Sequence, residues 1–295
     1  MEIKRDLYLN QLIDRQWNGL IKVVTGIRRC GKSYLLQVLF RNYLASHGVK
    51  PEQIIYLELD LTRNIRYRNP LELSSYIHSV IDGKKGQFYL FLDEIQMCEP
   101  VRNPYLPDGK KITFYDALND FKAIPNLDVY VTGSNSKMLS TDILTEFRGR
   151  GDEVRVNPLS YQEFYAAYGE DKRNAWRDYF TFGGMPLVLA QKTSEDKSRY
   201  LHTLFEKIYL DDIMSRHNIA NQKIVLDDLL DIVSSAVGSL TNPSKIQKTF
   251  ASVKGTAIAD DTISRYLDYF IDAFLLYQAK RYDVKGRKYI GSPLK

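Results

Sequence analysis

The chain has 295 residues, 44% hydrophobic and 26% charged, with a formal net charge of +5. Those proportions fit a soluble globular protein of one large domain or two to three ordinary ones, and no apolar run approaches the roughly 18 residues of a membrane helix. Two cysteines, Cys30 and Cys98, cannot frame a disulfide scaffold, and the N-terminal MEIKRDLYLNQL has no apolar signal core, so a reducing cytoplasm is the expected setting.

Residues 1–19 predict a short helix with Leu7, Leu9, Leu12 and Ile13 on one side. A β-branched run (Ile21, Val23, Val24, Thr25) then predicts a strand. It leads into Gly26-Ile27-Arg28-Arg29-Cys30-Gly31-Lys32-Ser33, the G-x-x-x-x-G-K-S pattern. Tyr34 follows, then an apolar-periodic helix with Leu35, Leu36, Leu39 and Phe40. Strand, glycine loop and helix in this order supply what a phosphate needs. The glycines let backbone N–H groups wrap an anion, and the helix start adds unpaired N–H groups and a positive dipole end. The stretch Gly26 to Tyr34 is therefore the expected nucleotide contact. Lys32 would reach the β- and γ-phosphates, and Ser33 would place its hydroxyl on Mg²⁺. Cys30, inside the loop, is either a redox control point or a small residue that fits there.

Residues 53–59 (QIIYLEL) read as a second strand, and Asn69-Pro70 starts a helix running to about Ile81. Gln87 to Gln96 (QFYLFLDEIQ) reads as a strand buried on both faces, as in a parallel sheet. It ends in Asp93-Glu94. An Asp at such a strand end holds Mg²⁺ in phosphate-loop NTPases, and the adjacent Glu can orient and deprotonate the attacking water. A proline-rich loop covers 97–113, a helix 114–124, and a strand 128–132. The strand ends in Gly133-Ser134-Asn135-Ser136, at the edge that faces a ligand crevice. Ser134 or Asn135 could bond a γ-phosphate or water, or merely cap a helix. In Glu146-Phe147-Arg148-Gly149-Arg150-Gly151, Arg148 or Arg150 either belongs to a solvated turn or reaches the γ-phosphate of a neighbouring subunit as an arginine finger. Such a finger would make the protein a homo-oligomer. Residues 154–156 predict the last strand.

From Pro158 the strand pattern stops. Helices are expected over 161–168, 175–180, 187–191 and 200–215, interrupted by Gly183-Gly184-Met185-Pro186, and read as lid and core packing. Residues 222–290 have the outline of a winged helix, with helices at about 223–238, 243–253 and 260–274 and a two-stranded wing at 275–281 and 287–290. Residues 243–295 carry ten Lys and Arg against five Asp. The third helix would bury Ile263, Leu267, Phe270, Ile271 and Phe274 and expose Asp261, Arg265, Asp268 and Asp272. Three acids to one base suit phosphates poorly. The wing cations Lys280, Arg281, Lys285, Arg287 and Lys288 could touch a DNA backbone without reading bases. A protein-docking or purely structural winged helix is the competing reading.

Together GIRRCGKS, FYLFLDEIQ, VYVTGSNS, FRGRG, PLSYQEF and FGGMP resemble the prokaryotic AAA+-type, archaeal-ATPase-like proteins that carry a C-terminal domain of unknown function. The resemblance covers essentially the whole chain. It implies an α/β fold, a three-layer P-loop sandwich with parallel strand order 5-1-4-3-2, then an all-α lid and a winged-helix domain. The expected boundaries are 1–157, 158–219 and 220–295. It assigns Lys32 and Ser33 to phosphate and Mg²⁺, Asp93 to Mg²⁺, Glu94 to catalysis, Asn135 to a sensor position, and Arg148 or Arg150 to a finger. In that family a nuclease-like region follows the winged helix. This sequence reaches Ser292-Pro293-Leu294-Lys295 where it would begin, so no nuclease activity is expected of these residues.

The resulting expectation is a Mg²⁺-dependent ATPase that switches conformation and couples through its C-terminal domain to a protein partner, with ATP and Mg²⁺ as cofactors and no membrane contact. The alternatives are a DNA-binding module whose conformation ATP sets, and a small-molecule kinase.

Overall fold

The computed structural model describes residues 3–106, 109–133, 151–169, 171–219, 223–239, 241–255 and 258–279. The chain divides into two compact units, Met1–Lys192 and Thr193–Lys295.

The first unit is built on five parallel strands: β1 (Ile21–Thr25), β2 (Ile54–Glu58), β3 (Phe88–Asp93), β4 (Leu127–Thr132) and β5 (Gly151–Arg155). Their order is β2-β3-β4-β1-β5, with every neighbouring pair parallel. Counted from the β5 edge this is 5-1-4-3-2. The strand bounds differ in detail from expectation, most at β5, which begins at Gly151 inside the FRGRG segment. Every residue of β1, β3 and β4 is buried, as a strand covered on both faces requires.

Helices supply the cover. On one face α4 (Pro70–Ile81) and α5 (Phe114–Lys122) pack Leu73, Ile77, Leu118 and Phe121 against Val23, Leu90, Leu92 and Val129. On the other lie α1 (Asp6–Asp14) and the helical run after the glycine loop, made of α2 (Lys32–Tyr34), a π-helical stretch Leu35–Phe40 and α3 (Arg41–Ser46). Leu12, Leu36 and Phe40 meet Val24, Phe91 and Tyr130 there. This is the three-layer sandwich. A buried ion pair, Lys22 with Asp128, closes its lower end, and Tyr130 Oη and the Trp17 N–H also donate to the carboxylate.

Beyond β5, the unit continues into α6 (Tyr161–Tyr168) and α7 (Lys172–Phe182). Ser160 and Glu163 form a reciprocal cap on α6, and Asp171 accepts from the Arg173 and Asn174 N–H groups to start α7. The helix expected over 187–191 is a 3₁₀ turn, Pro186–Ala190. Its proline suits a first turn but the segment is too short to propagate an α-helix.

In the second unit α8 (Ser194–Leu204), a π-helical stretch Phe205–Leu210 and α9 (Asp211–Arg216) follow one another. Then come α10 (Lys223–Ser235), α11 (Pro243–Lys254) and α12 (Asp260–Asp272). Leu226, Leu229, Ile246, Phe250, Ile263 and Phe270 form its core. The exposed side of α12 presents Asp261, Arg265 and Asp268, as its periodicity predicts, while Tyr266 joins the buried side. Residues 275–279, expected to begin a wing strand, are irregular. The wing cations Lys280, Arg281, Lys285, Arg287 and Lys288 lie outside the described residues.

Among the described residues no helix is long and apolar enough to cross a membrane.

Candidate functional site: a glycine loop facing an acidic strand end

The loop leaves β1 at the buried Thr25, whose hydroxyl donates to Glu153 on β5 at 2.6 Å. Gly26 has φ +141°, and a Cβ there would lie 2.1 Å from the Val156 carbonyl oxygen. The chain leaving β5 thus presses against the loop, and only glycine fits. Left-handed backbone at Arg29 (φ 68°) and Gly31 (φ 101°) folds the loop back on itself, the kind of turn that gathers N–H groups around an anion. Lys32 is 4% exposed. Its ammonium donates to the Gly26 and Ile27 carbonyls at 3.0 and 3.2 Å. Its charge is held inside the loop by two carbonyls that a phosphate oxygen can replace. Ser33 follows, half-buried.

Two loop residues face elsewhere. Cys30 is fully buried and its thiol donates to the Val156 carbonyl at 3.3 Å. Burial raises its pKa against the opposing influence of Lys32 and Arg5. A protonated, enclosed thiol is a packing group. Tyr34 Oη accepts from the Ile3 N–H at 3.1 Å, tying down the N-terminal segment.

The acidic pair ends β3. Asp93, 4% exposed, accepts from Tyr56 Oη at 2.8 Å and from the Thr132 hydroxyl. Burial first, and then the Asp93 charge, push the Tyr56 pKa far above the usual tyrosine range, so Tyr56 stays a donor. Glu94 has φ +56°. A non-glycine residue in that region costs about 1–3 kcal/mol and such strain gathers at working sites. The Glu94 N–H donates to Thr132 Oγ1 at 3.1 Å, and Gln96 Nε2 donates to its carboxylate. Because β4 lies between β1 and β3, Thr132 is delivered to the gap between the loop strand and the acidic strand.

Sequence reasoning missed Tyr56, Thr132 and Gln96. It also missed Arg5. This cation is 2% exposed. It donates to the Cys30 carbonyl at 3.1 Å and the Asn157 carbonyl at 2.6 Å, and its guanidinium stacks 4.6 Å from the Tyr8 ring. Its Nε lies 2.9 Å from Glu163 Oε1, an ion pair outside hydrogen-bond angles. One side chain thus joins the glycine loop, the exit of β5 and helix α6. The FGGMP segment closes the same junction. Leu159 N–H donates to the Gly184 carbonyl at 2.7 Å, and a Cβ on Gly184 would lie 2.1 Å from the Leu159 oxygen.

The residues present fit Mg²⁺ bound with a nucleotide. The ion takes few protein ligands and keeps waters and phosphate oxygens, so the Ser33 hydroxyl and one buried carboxylate, Asp93, would suffice as protein donors. A cage of three or more His, Cys, Asp or Glu is not required, and none occurs among the described residues. Of the other expected site residues, Ser134, Asn135, Ser136, Arg148 and Arg150 lie outside the described residues.

A parallel sheet in this order, with a glycine loop after β1 and an acid pair after β3, defines a P-loop NTPase. Residues 18–165 match the family described as AAA domain, and residues 173–293 match a domain of unknown function, DUF8612. An uncharacterized protein of Haemophilus influenzae is 33% identical over 294 residues, covering 98% of this chain and 69% of the relative. The uncharacterized protein MJ1544 of Methanocaldococcus jannaschii is 26% identical over 303 residues, covering 97% of this chain and 61% of the relative. The chain therefore spans only part of each relative's length. Among solved structures, the Walker-type ATPase Paby2304 of Pyrococcus abyssi superposes with TM-score 0.62 at 16% identity, covering 100% of this chain and 93% of that one, a likeness of fold. The chain belongs to the AAA domain family, and in general terms it is an ATPase-type nucleotide-binding protein.

Proposed function

We propose that the protein binds ATP with Mg²⁺ on residues 26–34 and hydrolyses it, and that the cycle switches a conformation coupled to a protein partner through the C-terminal unit. The observation that carries this reading is Glu94, held in left-handed backbone beside the buried Asp93 and bonded to Thr132 from the intervening strand. Water attacks the γ-phosphorus, and the bond to the β-phosphate oxygen breaks as ADP leaves with its electron pair. Glu94 orients the water and takes its proton. Lys32 exchanges its loop carbonyls for phosphate oxygens and neutralises the charge that develops there. Mg²⁺ on Ser33 and Asp93 would supply further charge neutralisation on the β- and γ-oxygens.

Asn135 is proposed as the sensor of the γ-phosphate and Arg148 or Arg150 as a finger acting between subunits. The proposed organisation is an ATPase domain over 1–157, a lid over 158–219 and a winged-helix-like docking domain over 220–295, in a cytoplasmic protein. The acidic exposed side of α12 favours a protein partner over DNA for that domain.

The test is ATP turnover by wild type and Glu94→Gln, with and without DNA and with metabolite acceptors. The variant should bind ATP and lose about 10²–10⁴ in rate. Unchanged turnover removes Glu94 from the role, and a phosphorylated acceptor turns the reading to a kinase. Turnover raised by DNA moves the partner from protein to nucleic acid.

A further inference from the structure

Helix α7 carries an exposed surface that the nucleotide site does not use. Residues Lys172, Arg173, Trp176, Arg177 and Phe180 recur at three- and four-residue spacing, which places them on one side of the helix. The other side is buried at Ala175 and Asp178. Trp176 is 53% exposed and Phe180 80% exposed. Their ring centroids are 6.4 Å apart, and Tyr161 of α6 meets Trp176 edge-on at 5.0 Å. The three rings make one continuous aromatic strip.

Cations flank it. Lys172, Arg173 and Arg177 form no ion pair among the described residues. Asp171, at the start of the helix, spends its carboxylate on the Arg173 and Asn174 N–H groups and the Asn174 amide, and Asp178 lies on the buried side and accepts from Tyr168 Oη. Tyr161, Lys172, Arg173 and Trp176 line one shallow, open depression of the surface. Large rings left in water, beside cations that form no ion pair among the described residues, suit a partner that brings flat π-faces and negative charge together.

We propose that this α6–α7 surface binds single-stranded nucleic acid, stacking bases on Tyr161, Trp176 and Phe180 and setting phosphates on Lys172, Arg173 and Arg177. Base stacking on aromatic side chains with cations along the backbone is the general solution for such strands. A duplex keeps its base faces stacked on one another and cannot offer them to the rings. An acidic protein segment matches the cations, but bases along a phosphate backbone bring flat faces and negative charge in regular alternation. The site is built from residues of the first unit alone and does not depend on ATP hydrolysis.

The test is binding of fluorescently labelled 20-mer oligo(dT), oligo(U) and a DNA duplex to the full chain, followed by anisotropy. The expected result is binding of single strands at least tenfold tighter than the duplex, with quenching of Trp176 emission, one of the two tryptophans of the chain. Trp176→Ala should weaken single-strand binding by about 5- to 150-fold, the measured worth of one stacked base. Arg173→Gln with Arg177→Gln should lower the slope of log affinity against log salt by about 1.4, at 0.7 per phosphate. Both variants change exposed side chains, and unchanged thermal melting and ATP turnover would show the fold intact. Oligo(dT) against oligo(U) decides whether DNA or RNA is preferred. Equal binding of duplex, Trp176→Ala without effect, full competition by polyglutamate, or no binding would each overturn the proposal. Competition by polyglutamate would identify an acidic protein surface as the partner instead.

Discussion

Arg5→Ala is the sharpest perturbation available. The wild-type cation is 2% exposed and satisfies two carbonyls while pairing with Glu163, whose side chain is 17% exposed. Removing one partner of a buried ion pair costs about 3–5 kcal/mol. Glu163 retains some water and its bonds to Ser160, so the lower end, about 3 kcal/mol, is expected. In a unit of this size each kcal/mol lowers the melting temperature by about 2–4 °C, giving a drop of about 6–12 °C. The same change frees the back of the glycine loop at Cys30 and should raise the KM for ATP more than it lowers kcat. Thermal melting and steady-state turnover measure both. A double-mutant cycle with Glu163→Gln should show a coupling of about 0.5–3 kcal/mol. A melting temperature within 2 °C of wild type and an unchanged KM would refute the view that Arg5 braces the loop against α6.

Tyr56→Phe removes a hydrogen bond to the Asp93 carboxylate, worth about 1.5–3 kcal/mol to a charged acceptor; Asp93 keeps Thr132, so the loss should show mainly as weaker Mg²⁺ dependence of turnover, and an unchanged Mg²⁺ titration would count against the arrangement. Gly184→Ala forces a Cβ within 2.1 Å of the Leu159 oxygen; a destabilisation of about 1–3 kcal/mol in urea is expected, and a change below 0.5 kcal/mol would show that the backbone yields. The pKa of His78 is raised, first by its bond to Asp120 and then by that to Asp82. The stability it contributes is complete below its unfolded value of 6.5 and fades as pH rises through the elevated folded value. His78→Asn should therefore lose stability relative to wild type at pH 6 and converge with it at high pH, and a constant difference would exclude the charge.

The strand–loop–helix and the buried acidic strand were legible because each carries its signal in adjacent residues. β1 and β3 are β-branched or continuously apolar, and Gly26, Gly31 and Lys32 keep a fixed spacing. What escaped depends on distance along the chain. Lys22 looks like a solvent-facing residue in IKVVT, yet it is 0% exposed, because Asp128 reaches it from 106 residues away. Tyr56 reads as one more β-former until β2 pairs with β3 and aims its hydroxyl at Asp93. Arg5 reads as a surface charge near the N-terminus. The segment FGGMP was legible as packing, but the close approach of Gly184 to Leu159 requires the chain to return from β5 through α6 and α7. At Pro186 the periodicity predicted a helix and the chain makes a 3₁₀ turn, since a five-residue segment opening on proline has too few bonds to nucleate more.

Two of these hidden contacts, those of Arg5 and Gly184, converge on residues 156–160. Leaving β5, the chain presents the Val156 oxygen to Gly26 and the Cys30 thiol, the Asn157 oxygen to Arg5, and the Asn157 N–H to Tyr8 Oη at 3.2 Å. Leu159 then meets Gly184 and Tyr179 Oη, and Ser160 caps α6. In the proposed cycle, a phosphate that draws the Lys32 ammonium off the Gly26 and Ile27 carbonyls would press on Gly26, whose Val156 side has no room for even a Cβ. Close-packed interiors transmit such displacements rather than absorb them. The loop and the helices after β5 therefore share one short piece of backbone, and the coupling between Arg5 and Glu163 measures how stiff that piece is.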